Sequence, residues 1–212
     1  MNLVNILEQG AGELCITLSP VQIEKFFSYF DLIKKWNKKI NLTSITDDNE
    51  IVVKHFLDSL TVSDLIKDGS NVLDIGTGAG FPGIPLAIVR ESLKFTVLDS
   101  KEKKIFFINE VIRELEIQNV KTAASRAEDS NNTISRSHFD YVITRAVGDI
   151  DVVLNMSAPY IKASGKIVLM RGKEGKFEWK SYENRNFELL ELKELKLPGT
   201  DFMRVLLLLK QK

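Results

Sequence analysis

The stretch "VLDIGTGAGFPG", Val72 to Gly83, carries two overlapping glycine patterns. Gly76, Gly78 and Gly80 form G-x-G-x-G, and Gly78, Gly80 and Gly83 form G-x-G-x-x-G. Glycines in such a turn allow positive φ and let a ligand approach the backbone closely. The second pattern is the fingerprint of a dinucleotide turn, with a pyrophosphate seated on a helix N-terminus. The first, led by Asp74, points to a methyl-donor cofactor. A carboxylate is repelled by two ligand phosphates but suits a ligand carrying an ammonium and a sulfonium. Pro82 removes an amide that could have met a phosphate. Asp99 closes a second apolar run, about twenty residues on, where an acid takes ribose hydroxyls. That feature fits both ligands, and the balance favours S-adenosylmethionine over NAD.

Other residues offer less. His55 and Asp58 fall on one face of the helical stretch "IVVKHFLDSL". A catalytic pair is one reading, and a packed histidine bonded to a neighbour is the commoner one. With Cys15 the only cysteine, no internal disulfide can form. One cysteine and two histidines also exclude a structural zinc site of the usual kind, so no metal is expected. Lys and Arg number 29, as do Asp and Glu, so no global field draws the chain to nucleic acid and any RNA contact needs a local basic patch.

These residues must be positioned by ordinary elements. A length of 212 residues fits one domain with an added subdomain. The part spanning 1–68 reads as a helical extension. Ser19, Pro20 and Gln22 make a helix start, and Ile23, Phe26, Phe27, Phe30 and Ile33 recur behind them at helical spacing as a core face. "KKWNKK" closes that helix, and Asp47 with Glu50 forms a second capping box before "IVVKHFLDSLTVSDLI". From Gly69 the texture changes, and 69–212 reads as the catalytic core. "NVLDIG", "KFTVLDS", "VKTAASRAE", "FDYVITRAV" and "GKIVLMRGK" are strands, with "GIPLAIVRE", "KEKKIFFINEVIREL" and "IDVVLNMSAPYI" as helices between them. "FELLELKEL" and "RVLLLLKQ", joined by "LPGTD", must pair antiparallel. The expected fold is therefore α/β: a doubly wound, mostly parallel Rossmann-like sheet with an antiparallel C-terminal hairpin. Its ligand belongs beyond the strands' C-terminal ends, at the switch point. The longest aliphatic run, "VLLLL", is too short to cross a bilayer, and the start lacks a basic leader. A cytoplasmic protein with no membrane association is expected.

With the turn placed on this map, the chain resembles the small-subunit ribosomal RNA methyltransferase G family, also called glucose-inhibited division protein B. Seven segments carry the likeness: "WNKKINLTSI", "KHFLDSL", "VLDIGTGAGFPGIPLAI", "LDSKEKKIFFINEV", "SRAED", "FDYVITRAV" and "APYIKASGKIVLMRGK". The resemblance implies a class I methyltransferase that transfers a methyl from S-adenosylmethionine to N7 of one guanine in bacterial 16S rRNA. It implies a cofactor shell of Gly76 and Phe81 on the methionine and ribose side and Ala127 and Glu128 at the adenine, to which the reading of the turn and of the second strand adds Gly78 and Asp99. Arg145 would reach the cofactor from the fourth strand. Arg126 and Arg171 are expected against RNA, with Lys166, Lys173, Lys176 and Lys180 extending the patch and Glu174 and Glu178 interrupting it. The family has lysine-glycine where this chain has Arg171-Gly172, a departure that keeps the charge but not the geometry. Guanine N7 has no proton to lose, so no general base is expected and His55 borders the site at most. The partner is 16S rRNA, in a partly assembled small subunit, met by a monomer. Three other readings are a methyltransferase acting on a protein or metabolite, an assembly factor that binds RNA and only retains the cofactor, and an NAD-dependent oxidoreductase.

Overall fold

The computed structural model describes residues 2–129, 132–145, 148–180 and 186–212. Its N-terminal part is helical. Helix α1 (Leu3–Glu13) is capped by Asn2, whose side chain accepts from the Val4 amide. Helix α2 (Pro20–Asn37) starts at the expected capping box: the Gln22 amide donates to the Ser19 hydroxyl, and the Ser19 amide donates back to the Gln22 side chain. Phe26, Phe30 and Ile33 are buried as expected, together with Tyr29. Helix α3 (Asp48–Ile51) differs. Asp47 accepts from the Glu50 amide at 3.0 Å, but Glu50 turns to Lys54 at 2.6 Å instead of closing the box. Lys54 lies one turn further along and offers charge where the cap offers only an amide. The helix then widens into a π-helical segment, Val52–Leu57, before α4 (Asp58–Leu60) and a single 3-10 turn at Ser63–Leu65.

The remainder is the alternating pattern read from the sequence: β1 (Asn71–Ile75), α5 (Gly83–Val89), β2 (Lys94–Asp99), α6 (Glu102–Glu114), β3 (Val120–Ala124), β4 (Phe139–Arg145), α7 (Ile150–Ser157), β5 (Ile161–Arg171), a short α8 (Gly175–Lys180), β6 (Phe187–Lys196) and β7 (Met203–Gln211). Among the described residues they form one sheet, ordered β3-β2-β1-β4-β5-β7-β6. The β1–β2, β2–β3, β1–β4 and β4–β5 pairs are parallel. The terminal hairpin does not simply add to the edge: β7 inserts beside β5, antiparallel, and β6 lies outside it. The winding reverses between β1 and β4, which sets the switch point at the C-terminal end of β1. Ala146 and Val147, expected at the end of the fourth strand, lie outside the described residues.

The helical part and the sheet share one core. A single apolar cluster runs from Leu7 through Phe26, Tyr29 and Phe56 to Ile84, Phe107 and Val97. Polar contacts cross the same seam. Gln22 Nε2 donates to the Ile88 carbonyl at 3.1 Å, Arg90 donates to the Ile66 carbonyl at 2.9 Å, and the Tyr29 hydroxyl donates to the Ala79 carbonyl. The boundary expected near residue 68 is thus a turn in the chain that separates no two cores. Among the described residues, no helix is long and apolar enough to cross a membrane, and no cluster of three His, Cys, Asp or Glu side chains is placed to hold a metal.

Candidate functional site

The glycine turn is held from every side. Gly76, Gly78 and Gly80 have φ of 72°, 62° and 101°, the left-handed region that glycine tolerates. Gly83 has a different task. A Cβ there would stand 2.7 Å from Val97 and 2.8 Å from the Asp74 carboxylate, so only glycine lets α5 pack this closely on the sheet. The two overlapping patterns therefore divide into a conformational set and a packing position.

The turn's amides are turned inward. Gly76 and Thr77 donate to the Leu98 carbonyl, and Gly80 and Phe81 donate to that of Thr77. Gly78 donates to Asp99 Oδ2 and Gly83 to Asp74 Oδ2, each at 2.9 Å. Pro82 has no amide to offer. Six amides of the turn are thus spent within the protein, where a dinucleotide turn would aim its donors at a pyrophosphate. Asp74 was expected to face a cationic ligand. Instead it is fully buried, braces the turn through Thr77 and Gly83, and leaves Oδ1 without a hydrogen-bond partner among the described residues. Burial pushes its carboxyl up to about 7, against the opposing pull of those two hydrogen bonds.

Two hollows flank the turn. One, of about 230 Å³, lies beyond the ends of β1, β2 and β3. Gly76, Asp99, Arg126, Ala127 and Glu128 line it, with Ile75, Leu98 and Met156 as apolar wall. Asp99 Oδ1 accepts from the Lys101 amide at 2.9 Å and has a second lone pair, while Oδ2, bonded to Gly78, also stands 3.8 Å from Lys104 Nζ. Arg126, expected against RNA, lies on this rim.

The second hollow, of about 360 Å³, lies beyond β4 and β5 and is lined by Ile45, Lys54, His55, Asp58, Arg145, Met170, Arg171, Gly172 and Arg204. Arg145 belongs here and does not line the first hollow. Its guanidinium donates to the Lys54 carbonyl at 2.9 Å, to Asp58 Oδ2 at 3.1 Å and to His55 Nδ1 at 3.1 Å. Phe81 is also absent from the first hollow. It is buried, stacked on the His55 ring at 4.5 Å, with the Arg145 guanidinium 5.0 Å above its face, and both of those neighbours line the second hollow.

His55 is fixed in one tautomer. A guanidinium only donates, so Nδ1 accepts from Arg145 and Nε2–H donates to the Thr43 hydroxyl at 2.8 Å. Burial first, then the neighbouring Arg145 charge, lowers its pKa to about 3. The ring is neutral at physiological pH and its one lone pair is taken, so it cannot act as a base.

Among the described residues the expected lysine patch does not assemble. Lys176 pairs with Glu194 at 2.6 Å and Lys173 approaches Glu174 at 3.8 Å. Lys166 precedes Arg171 by five residues on β5, about 16 Å along a strand. The side chains of Glu178 and Lys180 lie outside the described residues. The cations that concentrate instead line the second hollow: Arg145 and Arg171, which the sequence pointed to, and Lys54 and Arg204, which it did not. Arg204 Nε donates to Asp58 Oδ1 at 2.7 Å, which ties β7 to the His55 helix. One signal was available: Arg204 is the sole cation at the head of the apolar run "VLLLL", at the hairpin end that antiparallel pairing brings beside Arg171.

Comparison with known proteins bears on the whole chain. A family model described as rRNA small subunit methyltransferase G matches residues 22–204. A ribosomal RNA small subunit methyltransferase G of Thermoanaerobacter sp. is 40% identical over 215 residues, covering 98% of this chain and 90% of the relative. One from Acetivibrio thermocellus is 39% identical over 216 residues, covering 100% of this chain and 89% of the relative. Among solved structures, a SAM-dependent methyltransferase from Aquifex aeolicus superposes with a TM-score of 0.58 at 16% identity, over 77% of this chain and 93% of its own. M. jannaschii TYW2 in complex with AdoMet does so with a TM-score of 0.59 at 16% identity, over 82% of this chain and 80% of its own. At that identity the likeness shows the fold, a Rossmann-like class I methyltransferase sheet.

Proposed function

The chain belongs to the rRNA small subunit methyltransferase G family, and from that premise we propose that it methylates N7 of one guanine in 16S rRNA, using S-adenosylmethionine. The observation that carries the reading is a pair of hollows, with Phe81 of the glycine turn packed on His55 and Arg145 of the second. One offers a carboxylate and apolar walls, and the other offers an excess of cations. The first fits S-adenosylmethionine. Gly76 removes a side chain at its mouth, Asp99 retains an acceptor for a ribose hydroxyl, and Ala127 with Met156 gives an adenine an apolar seat beside Glu128. It fits NAD poorly, because six of the turn's amides already have partners within the protein.

When bound, S-adenosylmethionine supplies an electrophilic methyl. This chain's residues have three tasks around it. The turn and Asp99 hold the donor. The cationic cleft holds the acceptor: Lys54, Arg145, Arg171 and Arg204 line it beside the one lining carboxylate of Asp58, which Arg145 and Arg204 share, so it turns a cationic face toward an RNA backbone. Phe81 and the walls at the boundary exclude water. N7 has a lone pair and no proton, so no side chain has to receive one. Catalysis here is orientation.

Because the chain has no net charge, free RNA is held weakly, and the substrate is a partly assembled small subunit met by a single copy of the enzyme. The test is incubation with methyl-labelled cofactor and either assembled small subunits or protein-free 16S rRNA, followed by nucleoside mass spectrometry. The expected product is 7-methylguanosine at one position, with subunits preferred. Cofactor binding without transfer would instead make the chain an assembly factor, and label in protein would redirect the search for the acceptor.

A further inference from the structure

The π-helical segment has a local consequence. In a regular α-helix the Asp58 amide would donate to the Lys54 carbonyl four residues back. Here it reaches the carbonyls of Val53 and His55 and passes over that of Lys54. The released Lys54 carbonyl points at β4 and accepts from Arg145 Nη1 at 2.9 Å. The same widened turn brings His55 Nδ1 within 3.1 Å of Arg145 Nη2, while Asp58 Oδ2 accepts from Nη1 at 3.1 Å. Three acceptors from one helical stretch thus converge on one guanidinium, 87 to 91 residues distant in sequence. Three of the five guanidinium N–H groups are satisfied in this way, and the Arg145 side chain lines the cleft. π-helical turns are rare and concentrate at functional sites.

We propose that the π-helical turn Val52–Leu57 is a positioning device: the Lys54 carbonyl it releases and His55 Nδ1, with Asp58, lock Arg145 over Phe81 at the boundary between the cofactor turn and the cleft, where the remaining guanidinium N–H groups meet the acceptor nucleotide. The inference rests on the proposed RNA methylation. His55 and the turn are positioning groups that act through Arg145 and touch no reacting atom. The electrostatics agree. A bare guanidinium beside a guanine that becomes cationic would oppose the reaction, and the Asp58 carboxylate, shared with Arg204, offsets part of that charge.

The test is a double-mutant cycle on kcat and KM with small subunits, combining His55→Leu and Arg145→Lys, with His55→Gln as the conservative variant. The amide oxygen of Gln can still accept from Arg145. His55→Leu is expected to lower kcat by about 10- to 100-fold, the scale of a misplaced positioning group, while cofactor affinity measured by calorimetry stays within about threefold. His55→Gln should restore most of the loss, and the double variant should be no worse than Arg145→Lys alone. Additive losses in the double variant, or wild-type turnover in His55→Leu, would overturn the inference. If His55→Leu does not fold, nitrogen-15 NMR of the wild-type Arg145 side chain decides: resolved, slowly exchanging Nη signals support the lock, and a single averaged signal refutes it. A wild-type protein that transfers no methyl to rRNA while keeping that NMR signature would sink the functional reading and leave the lock standing.

Discussion

At the scale of single residues, the chemistry depends on groups held in unusual states. Asp74 is the clearest case. Burial raises its carboxyl from an ordinary value of about 3.9 to about 7. A raised acid stabilises the fold fully below its unfolded pKa, and that contribution is lost as pH climbs toward the folded value. Wild-type stability should therefore fall relative to that of Asp74→Asn between about pH 4 and 7 in the cofactor-free protein. Urea unfolding at several pH values measures it, and parallel curves would mean that Asp74 titrates normally. His55 behaves oppositely. Its depressed pKa keeps the ring neutral throughout the working range, so single-turnover methyl transfer should show no inflection near the ordinary histidine value of about 6.5. A rate that follows such a titration and falls about a hundredfold or more in His55→Gln, the scale of lost acid–base catalysis, would point to an acceptor atom that must lose a proton. Gly76→Val should abolish cofactor binding, because a β-branched residue opposes φ of 72° and fills the cavity mouth. Calorimetry that finds unchanged affinity would move the donor site elsewhere.

At the scale of elements, the helical extension acts on the turn it covers. Tyr29 is fully buried, and its hydroxyl donates to Ala79 in the middle of the glycine turn. Its phenol pKa is raised well above the usual range, chiefly by burial, so it remains a donor at any working pH. Tyr29→Phe leaves the Ala79 carbonyl buried and unpaired, and should cost about 1–3 kcal/mol in thermal or urea unfolding. An unchanged stability would show that the contact is dispensable. Much of this element map was legible in the sequence. The β1–α5 turn announces itself by its glycines, and the helix at Pro20 by its cap. The less legible parts depend on distant partners. Tyr29 reads as an ordinary core aromatic until Ala79 is placed beside it. Arg145 sits at a strand end as expected, but its direction is set by acceptors on a helix some 90 residues earlier. The π-helical turn has no local signature in "IVVKHFLDSL", and the insertion of β7 inside β6 follows from sheet pairing that the hairpin alone does not determine.

At the scale of the whole molecule, a formal net charge of zero means that affinity for RNA has to be built locally. The structure concentrates cations at one end of β4, β5 and β7, while surface lysines such as Lys176 are paired with nearby acids. RNA binding releases roughly one counterion for each phosphate neutralised, so the slope of log affinity against log salt counts those contacts. If the cleft is the RNA seat, Arg171→Ala and Arg204→Ala should each reduce that slope by about 0.7–0.9, the increment for one lost phosphate contact. Lys176→Ala should leave it unchanged. The measurement is small-subunit binding across a range of potassium concentrations, with the cofactor site saturated so that donor affinity does not enter. Arg204 carries an added condition. Its guanidinium is tied to Asp58, 1% exposed, which is also tied to Arg145, so its removal disturbs a shared carboxylate as well as a phosphate contact. Loss of affinity at all salts with an unchanged slope in Arg204→Ala would assign it to holding Arg145. An unchanged slope in Arg171→Ala as well would place the RNA backbone outside this cleft.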